Sequence, residues 1–144
     1  MVTSLRVTID VGRNQLRASL SRHQAAAAVL DSGASAALLL FYGAECGLKS
    51  SLLERHGLRS TSQLPEHLRA HHDLKLLAKE LRLPRSLCDQ IHSCTSQQDR
   101  RQRVEFRDLH QAWRYGHSLR KEHEEQALVV LHDLLDWCRQ ELRV

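Results

Sequence analysis

Six arginines crowd one stretch of this chain. Arg100, Arg101, Arg103, Arg107, Arg114 and Arg120 are opposed there only by Glu105 and Asp108, which leaves the stretch at +4, the net charge of all 144 residues. A focused basic face suits a polyanion such as RNA; it also suits an acidic partner protein, or solubility alone. Glu45 and Lys49 stand four apart, the spacing that pairs opposite charges along a helix for a few tenths of a kcal/mol. If that face were buried, the two would need each other or His72 to avoid a costly lone charge. Asp73 follows His72 and suits the first turn of a helix, where a carboxylate complements the dipole. Cys88, His92 and Cys94 are metal-ligand types, but they form no paired Cys-x-x-Cys and only Cys138 follows them. Buried thiols are expected there, with no metal and no cofactor. The chain has no glycine-rich phosphate loop and no helix-turn-helix signature. Its two Phe, two Tyr and two Trp are too few for a sheet that stacks RNA bases.

These residues need a scaffold, and the composition predicts a helical one. Hydrophobic residues make up 42 % of the chain, enough for one packed core, and only two prolines and six glycines interrupt it. Leu, Ala, Arg, Glu and Gln dominate, and all favour helix. The expected fold class is all-α, an up-and-down bundle of four to five helices in one domain spanning 1–144. Residues 1–11 alternate apolar and polar (Leu5, Val7, Ile9, Val11) and read as an extended arm. A first helix runs to about Leu30, capped by Asp10 or Asn14, and a turn at Asp31-Ser32-Gly33 follows. A second helix spans about Ala34 to Arg55 and stops at Gly57. Leu58 to Ala70 reads as loop. A shorter helix opens at His72-Asp73 and ends before Pro84, with one or two turns after it. Ser93 to Gln98 reads as linker and Arg100 to Tyr115 as basic helix, broken at Gly116. Leu119 to Leu142 forms the last helix. Trp113, Tyr115 and Trp137 are expected in the core. The longest apolar run, Ala36 to Tyr42, is too short to span a bilayer and no signal peptide is evident, so a cytoplasmic location with reduced thiols is expected.

Three segments in order carry a resemblance. They are Phe41-Tyr42-Gly43-Ala44-Glu45-Cys46-Gly47-Leu48-Lys49, then His72-Asp73-Leu74-Lys75-Leu76-Leu77, then Trp113-Arg114-Tyr115 ahead of a long helix ending Leu134-Leu135-Asp136-Trp137-Cys138. Over roughly Leu16 to Leu142 this order resembles a prokaryotic branch of the HEPN (higher eukaryotes and prokaryotes nucleotide-binding) family. The resemblance implies a helical bundle, often dimeric, in toxin–antitoxin or antiphage defence systems. It implies that Glu45, Lys49, His72, Asp73 and Tyr115 are family-motif positions with structural roles. Active members are metal-independent endoribonucleases in which an arginine, separated by four to six residues from a following histidine, holds the scissile phosphate while the histidine moves protons. Arg103 and His110 have six residues between them, as do Arg85 and His92; Arg114 and His117 stand where the family places its motif but closer together.

Two functional readings follow. In the first, the chain is an RNA-associated defence or toxin–antitoxin component, with Arg103 and His110 catalytic (alternatives Arg114 and His117) and Arg100, Arg101, Arg107 and Arg120 binding RNA. In the second, it is a non-catalytic interaction subunit that docks on a larger ATPase, helicase, nuclease or nucleotidyltransferase. A homodimer is expected in either case. Ala36, Ala37, Gly43, Ala44 and Gly47 offer a small-residue face on the second helix that a partner could approach.

Overall fold

The description rests on a computed structural model and covers residues 9–144. The arm expected at 1–11 falls mostly outside these residues. Helix α1 (Arg13–Leu30) and helix α2 (Ala34–Arg55) are joined by the Asp31-Ser32-Gly33 turn, where Asp31 and Gly33 both take positive φ. The N-cap of α1 is Gly12, not Asp10 or Asn14. Asp10 instead accepts hydrogen bonds from Ser62 N at 2.9 Å and Ser60 Oγ at 3.0 Å, and so ties down the start of a short 3-10 turn at Thr61–Gln63. A serine pair with free donors is a better partner for this carboxylate than a helix whose cap position has already passed.

Helix α2 is the hub. It packs against α1 and against three later helices: α4 (Leu74–Glu80), α6 (Leu109–Tyr115) and α7 (Lys121–Leu142). This explains why its apolar residues do not keep to one stripe. By length and composition α2 could cross a membrane, but 72 % of its most apolar 18-residue stretch is buried in the bundle. It ends where Gly57 takes φ +65°, with Leu58 N donating to Leu53 O at 2.8 Å, a Schellman closure.

The small residues of α2 are already covered. A Cβ on Gly47 would stand 2.9 Å from Cys138 Cβ and closer still to Leu20 Cδ1; one on Gly43 would meet His23 Cβ and Leu135 Cδ2 at 3.4 Å. Helices α1 and α7 occupy the face on which the expectation of a homodimer was based.

Between α2 and α7 the described chain is more broken than the sequence predicts. Seven helices, rather than four or five, are present among the described residues, because two single-turn helices interrupt stretches expected as loop or as an extra turn: α3 (Glu66–Arg69) and α5 (Arg85–Cys88). The linker expected at Ser93 to Gln98 contains strand β1 (Cys94–Thr95), which pairs antiparallel with strand β2 (Arg103–Val104). The basic stretch expected as one helix is therefore a strand, then a 3-10 turn at Phe106–Asp108, and a helix only from Leu109. Thr95 N donates to His123 Nδ1 at 2.9 Å, so β1 is fastened to α7. The buried apolar residues form one cluster, which includes Leu20, Phe41, Leu52, Leu77, Ile91, Leu109 and Leu134.

Candidate functional site

Titratable side chains converge where α2, α6 and the bend before α4 meet. Glu45 on α2 is 7 % exposed. Its Oε2 accepts from Lys49 Nζ at 2.9 Å, and both carboxylate oxygens lie 3.0 Å from His72 Nδ1. Burial pushes the Glu45 pKa up, but the hydrogen bond from His72 and the charge of Lys49 outweigh it and hold the carboxyl below its usual range. Lys49 donates a second bond to Arg69 O at 2.8 Å, at the end of α3. The pair is thus an internal ion network that pins the Arg69 to Asp73 corner onto α2, rather than a helix-surface pair. His72 sits in that corner with φ +52°. Asp73 caps α4 by accepting from Leu76 N at 3.1 Å.

The second histidine comes from α6. His110 is 5 % exposed, with its ring 4.5 Å from that of His72 and 5.2 Å from that of Phe41, centroid to centroid. Its Nδ1 is buried without a hydrogen-bond partner. Burial depresses its pKa, the neighbouring His72 adds to that, and the weaker pulls of the Arg107 carbonyl and Glu45 act the other way. One turn on, the exposed guanidinium of Arg114 donates to Tyr42 Oη and lies 6.0 Å from the Tyr42 ring. His23 of α1 also approaches Tyr42, its ring 6.1 Å away, centroid to centroid.

The structure groups the sequence candidates differently from their spacing. His110 faces Phe41, Tyr42 and His72, whereas Arg103 is exposed on β2 and lines open clefts with Glu105, Gln111, Tyr115 and His117 on one side and Lys75, His92 and Arg107 on the other. No hydrogen bond joins Arg103 to His110 among the described residues. Arg114 and His117 also part: His117 Nε2 is 2.8 Å from Ser96 Oγ while Arg114 turns to Tyr42. Of the union that is formed, the sequence names His72 as a partner for a buried Glu45, whereas nothing in the order of residues brings His110 and Arg114 across from them. Only the four-residue spacing of His110 and Arg114 hints at it.

The remaining basic candidates spread over the surface. Arg100 and Arg120 line a cleft of about 320 Å³ with Thr95, Ser96 and Gln97. Arg120 pairs with Glu122 at 3.1 Å and Arg101 with Asp99 at 3.8 Å. Tyr115, expected in the core, is 76 % exposed and stands beside the Arg103 cleft. Trp113 is buried, its Nε1 donating to Glu124 at 3.0 Å.

Cys88, His92 and Cys94 do not form a ligand set. Each thiol turns to a backbone carbonyl, Cys88 to Leu83 and Cys94 to His123, and His92 is exposed. Burial pushes the Cys94 thiol up to about 11 and that of Cys138 to about 12, far from a thiolate at neutral pH. No group of three or more His, Cys, Asp or Glu placed to hold a metal occurs among the described residues. No family model, no curated protein and no solved structure matches the chain.

Proposed function

We propose that the chain is an RNA-associated, HEPN-like component of a bacterial defence or toxin–antitoxin system, and that it acts as a metal-independent endoribonuclease. The observation that carries RNA association is the set of exposed arginines on the β1-to-α6 segment. Among the described residues, Arg100, Arg103 and Arg107 have no carboxylate within ion-pair distance, and they border clefts lined by Lys75, His92 and Tyr115 together with Asp73, Glu105 and Asp108. Exposed guanidiniums without an ion-pair partner favour a phosphate backbone, which they contact with two hydrogen bonds apiece. Cleavage without a metal fits a site built of imidazoles and guanidiniums, in which the RNA supplies its own 2′-hydroxyl nucleophile. A homodimer belongs to this reading through a surface other than the small-residue face of α2.

The test is binding of labelled RNA and matched DNA at several salt concentrations in the presence of a chelator. RNA is expected to bind with steep salt dependence and to yield 2′,3′-cyclic phosphate ends, while DNA stays intact. Changing Arg100, Arg103 and Arg107 together to Gln should lower the salt slope by about 2 and weaken binding while leaving the melt unchanged. Absence of RNA binding at low salt would overturn the reading.

One observation favours the second reading, a non-catalytic subunit docked on an ATPase, helicase, nuclease or nucleotidyltransferase. The Glu45, Lys49 and His72 bonds hold the Arg69 to Asp73 corner on α2, a structural task that needs no substrate. RNA binding without cleavage, or co-purification with such an enzyme and no RNA affinity, would bring this reading forward.

A further inference from the structure

We infer that His72, oriented by Glu45, is the proton-transfer group of this chain, and that His110, packed behind it, takes no part in the transfer. The inference rests on the ribonuclease reading and names the chemistry of its site. It differs from the sequence expectation, which gave the proton to His110.

Access decides between the two imidazoles. His110 is buried against Phe41, Tyr42 and His72, so a phosphodiester cannot reach it without displacing them. The side chain of His72 is 43 % exposed and covers it. Hydrogen-bond chemistry then fixes which nitrogen works. Glu45 is ionised, and a carboxylate only accepts, so His72 Nδ1 must carry the hydrogen. Nε2 is left as the atom where a proton can come and go, the arrangement by which a buried carboxylate sets the tautomer of a working histidine.

The surroundings hold this pose. At φ +52° His72 is held in the left-handed region that residues other than glycine seldom adopt. It is kept there by the Lys49 bond to Arg69 O on one side and the Asp73 cap on the other. The His110 ring backs His72 at 4.5 Å, and its depressed pKa keeps it from competing for the proton. Arg114, exposed one turn on from His110 along α6 and bonded to Tyr42, is the guanidinium on that side of the helix assigned to the phosphate.

In the step proposed, His72 Nε2 takes the 2′-hydroxyl proton and the 2′-oxygen bonds to phosphorus. The bond from phosphorus to the 5′-oxygen breaks, and that oxygen takes a proton from water. The imidazolium returns its proton to the hydroxide left behind. The products are a 2′,3′-cyclic phosphate and a 5′-hydroxyl, with nothing else consumed.

The test uses the full chain with ¹⁵N-labelled histidine. The probes are inorganic phosphate and a 2′-O-methyl RNA decamer, which cannot be cut. His72 is expected in the Nδ1–H tautomer, and both probes should move its Nε2 resonance while the His110 ring shifts little. Glu45→Gln should mix the tautomers and slow cleavage of ordinary RNA. His72→Asn is the decisive variant, because its amide can still donate to Glu45, tolerates a positive φ and lacks Nε2. It should melt like the wild type, bind RNA within about twofold, and cut about 100-fold more slowly. His110→Phe should keep the His72 tautomer and most of the rate. If RNA is cut as fast by His72→Asn as by the wild type, or if neither probe moves His72, the inference is overturned. If phosphate moves His72 but RNA is neither bound nor cut, the anion contact at His72 stands and the ribonuclease reading falls.

Discussion

Two parts of this molecule share one apolar core but are built from elements of very different length. Helices α1, α2 and α7 are long and bury continuous apolar surface, from Leu16, Leu20 and Leu48 to Leu131, Leu135 and Cys138. The stretch from Leu58 to Arg120 is a chain of short elements that send Leu74, Leu77, Ile91 and Leu109 into that core and add single polar bonds to neighbouring elements. Asp10 holds Ser60 and Ser62, Gln63 Oε1 accepts from Arg59 N at 2.6 Å, Lys49 holds Arg69, and His123 holds Thr95. A truncated core side chain costs about 2–5 kcal/mol. A typical hydrogen bond contributes about 1 kcal/mol net. The comparison teaches that the long helices supply rigidity while the short elements supply the shape of the candidate site, and the histidine cluster lies on the seam between them.

The largest effect should come from the long-helix side. Leu20→Ala removes a fully buried side chain between α1 and α2 and should cost about 2–5 kcal/mol in urea unfolding. A loss below 1 kcal/mol would mean that the two parts do not differ as argued. Glu45→Ala tests the seam. It strands Lys49 and His72 in a half-buried site and should cost about 3 kcal/mol, with Glu45→Gln milder.

Acid unfolding sharpens this second test. The folded pKa of Glu45 lies below its unfolded value near 4.5, so its contribution is full above that pH and is lost as pH falls from there through the lower folded value. His23 and His110 are depressed from 6.5, mainly by burial, so the folded state binds fewer protons there and stability should already decline as pH drops below about 6.5. Two descending windows are expected in a pH series of thermal melts. Glu45→Gln should shrink the lower window, to which Asp10 and Glu122 also contribute, and keep the upper one; loss of both windows would contradict the assignment.

Gly47→Ala probes the closeness of α1 and α7 to α2. Its new methyl would stand 2.9 Å from Cys138 Cβ, and overpacking of this kind costs about 1–3 kcal/mol. If it were neutral, the small-residue face would be open and the case for a partner there would revive, which light scattering on the same variant would show. The smallest effect belongs to the short elements. Asp73→Ala removes the side-chain cap of α4 and should cost about 1 kcal/mol, read from the same unfolding curves.

Local rules in the sequence were enough for the long helices. Periodic leucines, the Asp31-Ser32-Gly33 turn and Gly57 place α1, α2 and α7 within a residue or two of where they lie, because each boundary depends on near neighbours in the chain. The Glu45–Lys49 spacing was equally legible, together with the condition that burial would force the two into partnership. The stretch from Arg100 to Tyr115 was not. A two-residue strand has no periodicity of its own, and β2 exists because β1, itself fastened to α7, lies beside it.

The same limit applies to the site. The sequence by itself determined a mostly helical chain with a charged pair on α2, a histidine before α4, and a basic segment ahead of α7. Tertiary structure alone decided that His110 turns inward to His72, that Arg114 goes to Tyr42 rather than to His117, and that Tyr115 faces outward. Those outcomes depend on which face of α6 meets α2. Burying the Leu109, Ala112 and Trp113 side sets that rotation, and it carries His110 to the bottom of the site and leaves His72 as its accessible imidazole.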